Sequence, residues 1–144
     1  MIEHVLHNKQ ILALIIRNNY ADNGVVFFTP PDFSQQLAYM NHAAGHIIPP
    51  HVHNIVKREV LYTKEVLVIK RGKLKTDFYT DEQEYVCSRI LEGGDIILLA
   101  AGGHGFEVLA DVEMYEIKQG PYAGENDKTR FEPRQLSPEG KPCA

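Results

Sequence analysis

The sequence predicts an all-β fold, a sandwich or a barrel, on three observations. Turn signals recur about every ten residues through the second half of the chain. The runs between them are short and rich in Val, Ile, Leu and aromatic residues, and several alternate apolar with polar positions. No stretch carries the 3.6-residue periodicity of an amphipathic helix over three turns, and no internal repeat or low-complexity tract is present.

The elements follow in order. Met1 to Asn8 reads either as a first strand or as a loose end. Ile11 to Ile16 is a compact apolar run closed by Arg17-Asn18-Asn19, and its length favours a strand. Asp22-Asn23-Gly24 is a turn, Val25 to Thr29 a strand, and Pro30-Pro31 its end, because proline cannot donate to a ladder. Gln36 to Asn41 alternates moderately well. Glu65 to Lys70 reads as a strand and Arg71-Gly72-Lys73 as a turn. In Leu74 to Tyr79, Leu74, Thr76 and Phe78 share one face. Thr80 to Gln83 is a polar turn, Glu84 to Leu91 a strand, and Glu92 to Asp95 a turn. Ile96 to Leu99, Phe106 to Leu109 and Val112 to Ile117 read as three further short strands. From Gln119 onward Gly, Pro and charge dominate. That is the composition of an irregular tail, with Tyr122 and Phe131 able to pack on the barrel and the last residues expected to be disordered. The division this suggests is 1–35 as N-terminal strands packed on the barrel or in a dimer interface, 36–118 as the barrel core, and 119–144 as the tail.

Composition narrows the function. A chain of 144 residues suits one domain. The net charge of −4 and pI near 5.9 argue against a nucleic-acid partner. The apolar run Ile11 to Ile16 falls far short of the roughly 20 residues that cross a bilayer, and no basic segment precedes it as in a signal peptide. The two cysteines, Cys87 and Cys143, are far apart and suggest no disulfide framework, so a reducing cytoplasm is expected, with Cys87 in the core. Edge strands and the apolar N-terminal run predict a homodimer.

The residues with chemistry in them cluster between Gly45 and Val108. His51 and His53 are two apart, so on a strand both imidazoles project from the same face. Glu65 opens an apolar run, on the face of Leu67 and Ile69. His104 stands two residues before Phe106 at the head of another run. Three imidazoles and one carboxylate suit a divalent transition metal, one per chain, with Zn, Fe, Ni or Mn as candidates. Glu59 is a rival carboxylate. His42 and His46 are read as non-ligands, and His4 and His7 as solvated. The segment Asn54 to Lys64 starts and ends beside proposed ligands and is locally basic. Its Lys57, Arg58, Glu59 and Tyr62 are the expected substrate contacts, Arg58 having the better geometry for a carboxylate or phosphate.

Two motifs carry a resemblance. Gly45, five residues, His51-x-His53, then Glu65, six residues, Gly72 is similar to the first motif of the cupins. Gly94, five residues, then Ala100-Ala101-Gly102-Gly103-His104 is similar to the second. The chain departs from the pattern in the longer spacer between His53 and Glu65, in Ala100 where the motif has proline, and in the placing of His104 after Gly102. The resemblance spans about residues 36 to 118. It implies a double-stranded β-helix, or jelly roll, and a metal held by His51, His53, Glu65 and His104. The tail Lys118-Gln119-Gly120-Pro121-Tyr122, with Asn126-Asp127-Lys128, resembles the ending of small cupins associated with polysaccharide and nucleotide-sugar genes. Three functional classes are open: a metal-dependent isomerase, epimerase or dioxygenase acting on a small anionic or sugar-like metabolite; a metal-supported binding protein without turnover; and a metal-free sugar-modifying cupin with a histidine general base.

Overall fold

The computed structural model describes residues 1–133. Eight strands make up its regular structure: β1 (Ile2–His7), β2 (Gln10–Ile16), β3 (Gly24–Phe27), β4 (Ala38–Asn41), β5 (Glu65–Tyr79), β6 (Tyr85–Glu92), β7 (Ile96–Leu99) and β8 (Gly103–Lys118). One 3-10 turn, η1 (Gly124–Asp127), follows, and the described residues contain no α-helix. The all-β expectation holds. No helix among the described residues is long and apolar enough to cross a membrane. The expected disorder of the last residues falls outside the described ones.

The chain divides into two compact units, one formed by 1–20 with 63–144 and the other by 21–62. The first holds a six-stranded antiparallel sheet in the order β1-β2-β7-β5-β6, with β8 on the other edge of β5. Its interior follows from strand register. Ile15, Ile97 and Leu67 stand side by side across β2, β7 and β5, and Ala13, Leu99 and Glu65 form the next row. Leu12 to Ile15 are all at most 1% exposed, because β2 lies between two partners and carries no polar side chain after Gln10. Leu67, Ile69, Leu74, Phe78, Val86, Leu91, Ile97 and Leu99 join Val5, Leu12 and Ile15 in one core. Each such buried side chain contributes roughly 1.5–3 kcal/mol.

The ribbon of β5 and β8 positions the site. Two strands were expected on each side of it, and one long strand is found on each side. The turn expected at Arg71 to Lys73 is a set of register shifts between Ile69 and Leu74, where the pairing with β8 slips and recovers. Gly72 sits at the slip with φ +93, and a Cβ there would stand 2.0 Å from the Asp111 carbonyl oxygen. Only glycine combines that backbone with that approach. The inward face changes from odd positions (Leu67, Ile69) to even ones (Leu74, Thr76, Phe78) across this irregularity. The sheet curls strongly.

The second unit, 21–62, holds the β3–β4 hairpin, closed by Phe28 donating to the Leu37 carbonyl and by Thr29 with Gln36. Residues 44–62 follow without a strand or helix. The strand expected at His51 and His53 is absent, and Pro49-Pro50 gives a reason, since two consecutive residues lack the N–H a ladder needs.

Cys87 is buried on β6 and is disulfide-bonded, which corrects the expectation of unpaired cysteines.

Candidate functional site

Glu65 is the first residue of β5 and faces inward one step beyond Leu67, at the rim of the core. His104 lies near the start of β8, opposite Phe78. Thirteen positions of β5 separate Glu65 from Phe78, which on a straight ribbon is about 40 Å. Yet Glu65 Oε2 and His104 Nε2 are 3.2 Å apart. The curl in the ribbon brings its two ends together, and inward-facing side chains meet there.

The electrostatics suit a charged carboxylate. The hydrogen bond from His104 holds Glu65 below the usual carboxylate range, against the upward push of burial, and Lys118 adds to the lowering. The Glu65 side chain is 14% exposed and that of His104 30%, so the pair is sheltered but reachable. Phe106, two residues on, lies with its ring 5.3 Å from the imidazole of His104 and is itself partly exposed.

The spacing of the pair is that of two donors to one metal ion. Two donors bound side by side to one divalent ion at about 2.1 Å each stand about 3 Å apart. The 3.2 Å between Glu65 and His104 fits. In the 21–62 unit, the His51 and His53 rings lie 5.4 Å apart, edge to face. His51 Nδ1 is 3.0 Å from the Pro49 carbonyl. A carbonyl only accepts, so Nδ1 donates and the neutral ring keeps Nε2 as its lone-pair donor, as metal-binding histidines are commonly held. Each unit thus contains two of the four expected ligands. Among the described residues, no group of three or more His, Cys, Asp or Glu is placed to hold a metal.

The other expected residues are in plain positions. Lys57, Arg58, Glu59 and Tyr62 are all exposed in the segment before β5, Tyr62 at 79%. His42 and His46 stack face to face at 4.1 Å, both exposed. His7 meets Asn8 through its Nε2.

Lys118, named in the sequence only as the start of the tail, is a further charged group at the site. It stands opposite Glu65 in the β5–β8 register, with its ammonium 3.9 Å from Glu65, 3.8 Å from Glu116 and 3.4 Å from Asp127. Its pKa is raised, mainly by the hydrogen bond to Asp127. The signal was available only as register, since Lys118 and Glu65 are far apart in sequence.

No family model, no curated protein and no solved structure matches this chain.

Proposed function

We propose that this chain is a metal-binding protein of the cupin type, its curled sheet being part of a jelly roll. In this reading Glu65 and His104 are two donors to one divalent transition ion, and the motif resemblance adds His51 and His53 as the further expected ligands. The observation that carries the reading is the convergence of Glu65 and His104 at 3.2 Å from opposite ends of one ribbon. A carboxylate kept charged and an imidazole beside it are two donors of the right types at the right separation. A bound ion would supply a Lewis acid with room for a small anionic or sugar-like metabolite. The protein's own residues would orient that molecule: Phe106 offers a ring face beside His104, and Lys57 and Arg58 carry positive charge close in sequence to Glu65.

A second reading has its own support. His104 hydrogen-bonded to Glu65 is also the arrangement of a general base oriented by a carboxylate, and needs no metal. Metal content decides between the two. Mass spectrometry of the untagged protein should find about one ion per chain, lost in a His51→Ala, His104→Ala double variant. No metal after reconstitution with Fe, Mn, Ni and Zn would discard the first reading. Activity on a sugar substrate that survives chelation would establish the second.

A further inference from the structure

The segment after β8 is expected to be an irregular tail, but its contacts are not scattered. The Gln119 side-chain oxygen accepts a hydrogen bond from the backbone N–H of Lys64 at 2.7 Å, and Lys64 immediately precedes Glu65. The 3-10 turn η1 brings Asp127 back to Lys118, the residue opposite Glu65. Phe131 then reaches the other end of the ribbon. Its ring stands edge to face with Tyr79, centroids 5.3 Å apart. It also fills the space over Gly103, where an added Cβ would be 2.9 Å from Cζ of Phe131. Gly103 immediately precedes His104. One short segment therefore touches the residue before each of the two donors, and pairs with the lysine across from one of them.

The two oxygens of Glu65 are also told apart. Oε1 faces Lys118 at 3.9 Å, and Oε2 faces His104 at 3.2 Å. A lysine held by Asp127 on one side of the carboxylate leaves a single oxygen directed toward the imidazole.

We propose that residues 119–131 are a strap that positions the site. Asp127 sets Lys118 against one oxygen of Glu65, and Phe131 seats the start of β8 so that His104 meets the other. Asp127, Lys118 and Phe131 are positioning residues, not ligands. The inference rests on the metal reading for its consequence and on the contacts above for its geometry.

Two measurements on the full chain test it. The first is Co2+ titration of the protein, read from the visible spectrum of the bound ion. Asp127→Asn and Phe131→Ala should each weaken Co2+ binding by about 10- to 100-fold, the usual effect of removing a group that orients a metal ligand. Asp127→Glu should restore binding, which a merely structural role would not require. Co2+ affinity within about twofold of the parent in both variants, or no rescue by glutamate, overturns the proposal. The second is the His104 ring-nitrogen NMR signal in the metal-free protein, which reports its hydrogen bond to Glu65. The signal should move in both strap variants, and an unmoved signal overturns the strap. If the parent protein binds no Co2+, the metal reading fails while this second measurement still decides the strap.

Discussion

Gly72→Ala is expected to be among the most damaging single-methyl changes available in this chain. The added Cβ would stand 2.0 Å from the Asp111 carbonyl oxygen and 2.7 Å from the Val112 Cα. Both contacts are backbone, so no side chain can move aside, and the two strands must part by about 1 Å to relieve them. The left-handed backbone at φ +93 costs a further 1–2 kcal/mol or so for an L-residue. Parting the strands at the slip weakens about two or three ladder hydrogen bonds, at about 1 kcal/mol each. The total, about 3–5 kcal/mol, is a large share of a typical domain's stability of roughly 5–15 kcal/mol. Urea unfolding followed by circular dichroism measures it. Gly124→Ala is the control, because Gly124 also has positive φ (+67) but nothing within 4 Å of an added Cβ. It should cost about 1–2 kcal/mol at most. A Gly72→Ala protein no less stable than Gly124→Ala would show that β5 and β8 do not approach at the slip, and the account of the curl would fall with it. The same variant should lose the Glu65–His104 contact, because the curl is what closes their separation.

Three further outcomes are expected. Asp95, 3% exposed, accepts hydrogen bonds from Arg17 at 2.8 Å and from the backbone N–H groups of Asn18 and Glu92 at 2.9 Å each; Asp95→Ala leaves the two backbone donors without that acceptor, while Arg17 keeps Glu3 and the Ile90 carbonyl, and should lower stability by about 2–4 kcal/mol in urea titration. Glu3 is held below its ordinary value of 4.5 by its hydrogen bond to Arg17. Its stabilising contribution is therefore complete above that value and lost as pH falls through the lower folded value, so the gap between parent and Glu3→Gln in thermal unfolding should be constant at neutral pH and close below about pH 4.5; a gap independent of pH would refute the pairing. The Thr76 hydroxyl is fully buried with no hydrogen-bond partner among the described residues, so Thr76→Val, which keeps the shape and removes the stranded polar atom, should leave stability unchanged or raise it by about 1 kcal/mol, and a loss above about 1 kcal/mol would show a hidden partner.

Most of the strands were legible because their sequence pattern is local. Ile11 to Ile16, Glu84 to Leu91 and Ile96 to Leu99 are bounded by turn residues and match β2, β6 and β7 to within a residue or two. The alternation that puts Leu74, Thr76 and Phe78 on one face is likewise a property of the strand alone, and all three are buried. What the pattern could not show is where glycine interrupts pairing without ending a strand. Gly72 looks like a turn in one dimension. In three it is an irregularity compensated by a matching slip around Asp111, and the strand continues. The same slip made β8 look like two strands. Proline acted in the other direction, since Pro49-Pro50 precede a His-x-His pair that reads as a strand and does not form one. At the site, Glu65 and His104 were found as residue types in motifs. Phe131 was read as packing on the barrel, but where it packs, and that Lys118 faces Glu65, depend on which residue lies across the ribbon and on where a chain reversal ends. Register and chain reversal come from tertiary pairing, which no single segment encodes.

The order of pairing has a consequence during synthesis. β2, apolar at every position after Gln10, lies against β1 on one edge and β7 on the other. About 80 residues separate Ile16 from its partner Ile96. At roughly 5–20 residues per second, a ribosome takes about 4–16 s to make that span. Throughout, Leu12, Leu14 and Ile15 have only the β1 hairpin for company, and an isolated hairpin is marginal in water. The nascent chain therefore spends several seconds with an uncharged, aliphatic strand edge unprotected, the kind of segment that pairs with copies of itself. A trigger-type holding chaperone, or slow expression at low temperature, should have a larger effect on the soluble yield of this protein than its finished stability would suggest.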